Sequence, residues 1–190
     1  MIKIFDCKNP NYLSKLKLVL EKRRHGSKIN TDNVIKIVKE IKINKQKALI
    51  KYEKKFSKNS KIKPSKKEIN ISIKSLDPKI KNAIDFAYSR ILKFHSLQKI
   101  NNIKYTDKLN NKIEYKYIPI QSVGIYVPHN LPSTLLMNAI LAKKIVGVKR
   151  VVLANPRLNG KLNPAVMYAA KKCGISEIIN ASGSQAIASL

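Results

Sequence analysis

The sequence predicts an α/β fold: a helical N-terminal part, then the start of a parallel βαβαβ domain. Three observations carry this. Apolar residues recur at helical spacing over much of residues 11–98, as at Val34, Ile37, Val38 and Ile41. From Val123 onward the pattern changes to short apolar runs at 123–127, 150–154 and 177–180, with helical periodicity between them. Each run is followed by a loop of Pro, Asn, Ser or Gly. Strands that alternate with helices of this length imply right-handed crossovers and a parallel sheet.

In chain order, Ile2–Phe5 reads as a short strand and Asn11–Arg24 as a basic helix with Leu13, Leu16, Val19 and Leu20 on one side. His25-Gly26-Ser27 breaks it, and His25 reads as a solvated turn histidine. Thr31 is placed to cap a long helix whose apolar stripe is Val34, Ile37, Val38, Ile41, Ala48, Leu49, Tyr52 and Phe56. The stripe fades over Asn44–Lys47, which leaves room for a turn and two helices in place of one. Ser57–Pro64 reads as a polar linker. Ser65-Lys-Lys-Glu68 matches a capping box, in which hydroxyl and carboxylate each satisfy a backbone N–H of the other. Asp77-Pro78 opens a helix carrying Ile80, Ala83, Ile84, Ala87, Ile91 and Phe94, ending near Gln98. Tyr105–Ile118 alternates and turns at Asn110-Asn111, a hairpin with Ile113, Tyr115 and Tyr117 on one face. Pro119 marks the boundary between a helical part, residues 1–119, and an α/β part, residues 120–190.

In the second part, Val123, Ile125 and Val127 make a strand buried on both faces, ended by Pro128. Asn130 and Pro132 hold the loop open, Ser133 or Thr134 can cap the next helix, and Gly147 ends it. Asn155-Pro156 ends the second strand; Asn163-Pro164 starts a helix that Gly174 closes. After the third strand, Ser182-Gly-Ser-Gln185 turns into a helix at Ala186. Ligands of parallel sheets sit beyond the carboxyl ends of the strands. Three loops therefore face one place: residues 126–133, 155–163 and 181–185.

Composition narrows the function. With 44% hydrophobic residues, 190 residues can bury a real core. No apolar run reaches the ~18 residues of a membrane span, and Met1–Asp6 lacks the apolar core of a secretory signal. Cys7 and Cys173 have no metal-binding spacing and read as reduced thiols of a cytoplasmic protein. The net charge of +28 invites a nucleic-acid partner. Against this, only five of the 39 basic residues are arginines, at 23, 24, 90, 150 and 157, and the lysines are scattered. Lys, Ile and Asn, all with A/T-rich codons, dominate the N-terminal half together, so base composition accounts for the bias. No specific nucleic-acid partner is expected.

Catalytic motifs are few. The sequence has no Gly-x-Gly-x-x-Gly and no phosphate loop. His95 suits packing or capping at a helix end. His129 lies past a strand end facing the presumed cleft, without an acid partner nearby in sequence. Tyr126, at the carboxyl end of the first strand, suits stacking on or hydrogen bonding to a ligand, or packing at the core rim. Gln185 lies where backbone N–H groups favour anions, or merely caps its helix.

These residues resemble a family. Val-Gly-Ile-Tyr-Val-Pro at 123–128, Leu-Met-Asn-Ala-Ile at 136–140, Ala-Lys at 142–143, Gly-Val at 147–148, Asn-Pro-Ala-Val at 163–166 and Ser-Gly-Ser-Gln-Ala-Ile-Ala at 182–188 are similar to histidinol dehydrogenase. Ala48-Leu49, Tyr52, Phe56, Ile84, Ala87, Ile91, Phe94-His95 and Gln98 resemble its leading helices more loosely. The resemblance implies a Rossmann-like domain and oxidation of L-histidinol to L-histidine through the aldehyde, with two NAD+, in a zinc-dependent homodimer. It places Tyr126 and Gln185 at the family's NAD-contacting positions, with Pro128 beside the first.

There are departures. The loop His129-Asn130-Leu131 is shorter than the family's glycine-rich one. Ser182-Gly183-Ser184-Gln185 stands for Gly-Gly-Ala-Gln, and Lys45-Gln46-Lys47 for the Gly-Asp before Ala48. Family members are more than twice as long, and the resemblance puts their zinc ligands and glutamate–histidine acid/base pair beyond Leu190. The expectation is an N-terminal fragment, inactive alone, with no catalytic or metal-ligating residue assigned. Two rivals stand beside it: a related NAD-dependent dehydrogenase of another small alcohol, and a basic binding module without catalysis.

Overall fold

The computed structural model describes residues 5–24 and 31–190. The expected strand at Ile2–Phe5 and the break at His25–Ser27 lie outside the described residues, apart from Phe5. Two compact units divide at Lys36 and Ile37.

The first unit holds helix α1 (Tyr12–Arg24) and the beginning of α2 (Thr31–Ser57). Before α1, the Asp6 carboxylate accepts from the Lys8 N–H and the Asn9 side chain from the Asn11 N–H. The expected apolar side of α1 is only partly covered: Leu16 and Val19 are half-buried, Leu13 and Leu20 exposed.

The second unit begins within α2, which is two helices rather than one. Lys45 has φ 46° and ψ −125°, outside any helical conformation. Along a straight helix, residues twelve apart are about 18 Å apart. Here the Tyr52 hydroxyl donates to Glu40 Oε2 at 2.5 Å and Lys51 Nζ pairs with Glu40 Oε1 at 2.6 Å, so the chain folds back at Lys45. Ile37, Ile41, Ala48, Leu49 and Tyr52 are buried as the stripe predicts, whereas Phe56 is exposed and stacks on Tyr52.

Helices α3 (Lys66–Lys74) and α4 (Pro78–Ser96) follow, N-capped by Ser65 and Asp77. The expected capping box is only half formed. Ser65 Oγ accepts from the Glu68 N–H, but the Glu68 carboxylate turns away to Arg157 and Lys61. Strands β1 (Ile103–Thr106) and β2 (Lys112–Tyr115) make the predicted hairpin, with Tyr105 opposite Ile113. Asp107 closes its turn by accepting from the Leu109 and Asn111 N–H groups. Tyr117 lies beyond β2, its ring edge-on to Tyr115.

The sheet is parallel, in the order β3 (Ser122–Tyr126), β4 (Arg150–Ala154), β5 (Glu177–Ile179). Alternation assigns its two faces. Ile125, Val127, Val151, Leu153 and Ile178 pack into a core with α5 (Pro132–Ala139) and α6 (Pro164–Cys173), over which Ile69, Ile73, Ile84 and Ile91 of α3 and α4 close. Tyr126, Ala154 and Ile179 face the other way, toward the second half of α2 and α7 (Gly183–Ser189).

Three local details depart from the sequence reading. Helix α5 starts at Pro132 with Leu131 in the cap position, so neither Ser133 nor Thr134 caps it. Residues Ile140–Val146 then widen into a π-helix before Gly147 ends it at φ 80°. Helix α7 begins at Gly183 rather than Ala186, which puts Gln185 inside it.

Candidate functional site

Beyond the carboxyl ends of β3 and β5, which flank β4, Tyr126 meets the 181–185 segment. Tyr126 is half-buried on the α2 face of the sheet, and its hydroxyl accepts from the Gly183 N–H at 3.3 Å. Gly183 has φ 59°, which glycine adopts without penalty. Gln185 is 3% exposed. Thus the structure brings together the end of β3, which holds Tyr126, and the start of α7, which holds Gln185. Pro128 is half-buried one residue past Val127, whose N–H donates to Ala154 O at 2.9 Å.

Beneath this junction lies Glu53, a buried residue that sequence reasoning missed. Its Oε1 accepts from the Ser182 N–H at 2.9 Å, from Ser182 Oγ at 3.3 Å and from Gln185 Nε2 at 2.8 Å. Ser57 Oγ lies 2.9 Å from Ser182 Oγ. A faint signal exists in the sequence: Glu53 is four residues past Leu49, beside an apolar stripe, where a charged side chain is buried only with partners.

The middle loop divides. At its start, Asn155 is buried and its Nδ2 donates to Val127 O and His129 O, which pins the β3 loop to β4. His129 itself is exposed with φ 45°. Further on, the Arg157 side chain is 6% exposed and donates to Glu68 Oε1 and Gly160 O. The Arg157 guanidinium, helped by Lys61, holds the Glu68 carboxyl down to about 2. With its amide turned so that the oxygen faces the guanidinium, Asn180 accepts from Arg157 Nε and Nη2 at 3.2 and 3.0 Å. The Arg157 stretch is therefore tied to α3 and β5 and is not an open ligand loop. The 57–64 segment is likewise more than a linker. Ile62 is 4% exposed, its carbonyl accepts from the Asn180 N–H, and Asn59 Nδ2 donates to Asn180 O.

Among the described residues His95 makes only local contacts, with Nδ1 2.5 Å from Gln98 Oε1 and its ring edge-on to Phe94, while Leu97 caps the helix. Among the described residues no group of three or more His, Cys, Asp or Glu side chains could hold a metal ion, so they do not fit zinc by themselves. What the site holds is an aromatic hydroxyl at the end of β3, bonded to the Gly183 N–H, and a buried amide in the first turn of α7. That combination suits polar recognition of a ligand rather than proton transfer or metal chemistry.

The chain is similar to known proteins over nearly its whole length. The family model for histidinol dehydrogenase matches residues 20–190. Histidinol dehydrogenase of Pelagibacter ubique is 57% identical over 193 residues, covering 100% of this chain and 45% of that protein. Its counterpart in Caulobacter vibrioides is 33% identical, covering 96% of this chain and 44% of that one. The crystal structure of histidinol dehydrogenase from Elizabethkingia anophelis superimposes with a TM-score of 0.78 at 35% identity, over 86% of this chain and 39% of that one. This chain thus spans less than half the length of these relatives.

Proposed function

The chain belongs to the histidinol dehydrogenase family, and from that premise we propose that it supplies the leading part of an enzyme that oxidises L-histidinol to L-histidine through the aldehyde, using two NAD+. Residues 1–119 form the helical lead-in and residues 120–190 the first part of the NAD-binding domain. Tyr126 and Gln185, with Pro128 beside the first, are the residues that hold NAD+. The observation that supports this is the junction of Tyr126 with the Gly183–Gln185 segment at the carboxyl ends of parallel strands.

Bound NAD+ supplies the hydride acceptor. The chain's own part is binding and orientation: Tyr126 presents an aromatic face and a hydroxyl, and Gln185 an amide held in the core. Zinc and the acid/base pair that removes the alcohol proton belong to sequence outside these residues. The assembled enzyme is a homodimer working in the cytoplasm.

NAD+ titration tests the reading. Tyr126→Ala and Gln185→Ala should each weaken binding by about 1–2 kcal/mol, the usual loss for one hydrogen bond or stacking contact. The 190-residue chain should show no histidinol turnover, with or without zinc. Variants that bind NAD+ like the parent would refute the cofactor site.

A further inference from the structure

Glu53 is 1% exposed and belongs to no motif. Its Oε1 receives three hydrogen bonds, all from the Ser182–Gln185 segment. The amide of Gln185 has a donor end and an acceptor end, and only the donor end can face a carboxylate oxygen that is already accepting. Turned the other way, it would set two acceptors against each other in a buried place. The Nε2 group is thus committed to Glu53, and Oε1 is turned toward Gly183, 3.2 Å from where a Cβ on that glycine would stand. No described residue donates to that Oε1.

We propose that Glu53 is a positioning residue for the dinucleotide: it fixes the Gln185 amide so that a carbonyl oxygen, an acceptor, is the atom offered to NAD+. The proposal rests on the reading that Gln185 touches NAD+. It narrows that contact to a hydrogen-bond donor of the dinucleotide, a ribose hydroxyl or an amino group. The pyrophosphate, which only accepts, is excluded.

The test is a double-mutant cycle of NAD+ affinity on the 190-residue chain, with inorganic pyrophosphate as a second probe. Glu53→Leu keeps much of the bulk of the side chain but removes the oxygen that accepts from Gln185, so the orientation is no longer dictated. It should weaken NAD+ binding about three- to tenfold in the parent, and by less than about twofold where Gln185 is already alanine, since a residue acting through Gln185 has nothing left to position. The Gln185 side-chain amide resonance should move with Glu53→Leu in the absence of any ligand. Pyrophosphate should bind the parent and Gln185→Ala alike. Should Glu53→Leu fail to fold, Glu53→Asp, whose shorter side chain withdraws the oxygen, takes its place in the cycle. Equal weakening by the Glu53 variant in both backgrounds would overturn the proposal, because Glu53 would then act on the fold at large. Unchanged binding in Glu53→Leu beside a weakened Gln185→Ala would overturn it too. Pyrophosphate binding that depends on Gln185 would overturn the donor assignment. If Gln185→Ala leaves NAD+ binding intact, the cofactor reading itself has failed, and the positioning role falls with it.

Discussion

Cys173 sits on α6 with its thiol wholly buried, and the lost hydration pushes its pKa up to about 11. A thiol held protonated and out of solvent is a poor nucleophile. Cys7 is exposed and, like Cys173, free. A thiol reagent at neutral pH should therefore modify one cysteine per native chain and two after denaturation, counted by mass spectrometry. Modification of both at equal rates would contradict the burial of α6 against the sheet. Gly124 is constrained differently. A Cβ there would run into the Leu190 side chain, so this strand position tolerates no larger residue without moving the end of α7. Its requirement is close approach, not backbone freedom.

Among the elements, α2 carries the clearest local strain. At φ 46° and ψ −125°, Lys45 occupies backbone territory that only glycine visits freely. Relief of that strain outweighs the greater flexibility that glycine brings to the unfolded chain. Lys45→Gly should raise stability by about 1 kcal/mol, measured by urea unfolding. A loss of stability would show that the fold-back is not at Lys45. Helix α6 is the opposite case, with each end matched to its sequence. Asn163 Oδ1 accepts from the Val166 N–H at 3.0 Å, and Gly174 takes φ 78° to close the other end. Asn163→Ala should cost about 1 kcal/mol, the usual value of an N-cap. No change in the urea midpoint would mean that the cap is redundant there.

For the whole molecule, charge and its few buried pairs govern the response to pH. The pKa of Glu68 lies at about 2, below its ordinary value of 4.5, chiefly through its hydrogen bond to Arg157. A depressed carboxyl pKa stabilises the fold above the unfolded value, and that contribution is lost as pH falls through the folded one. Stability should thus decline between about pH 4.5 and pH 2, and Glu68→Gln should be less stable at neutral pH and flatter across that window. Thermal melts against pH check this; a parallel loss in both proteins would assign the acid response elsewhere. At the same scale, a net charge of +28 held mostly on scattered lysines predicts weak DNA binding. It should fade steeply between low and physiological salt and ignore base sequence, because lysines meet phosphates as point charges. A tight, sequence-selective complex at physiological salt would contradict this.

What the sequence determined by itself was the part governed by local chemistry. Periodicity located the helices and the three parallel strands. Asn163, Gly147 and Gly174 marked helix ends, and the fading stripe at Asn44–Lys47 marked the fold-back, because caps, breakers and apolar spacing act within a few residues of themselves. The motifs at 123–128 and 182–188 pointed to the family for the same reason: each is short and contiguous. Tertiary structure alone decided what depends on distant partners. Glu68 leaves its capping box because Arg157, far along the chain, offers a stronger charge-assisted bond. Ile62 turns a polar linker into a packed segment by docking on the end of β5. The joining of Tyr126 to Gly183 arises only when α7 comes against the end of β3, and the setting of Gln185 by Glu53 only when α2 is laid beneath the sheet. A buried carboxylate must find its donors wherever the fold brings them, across 129 and 132 residues of sequence in this case, a range over which no local pattern carries information.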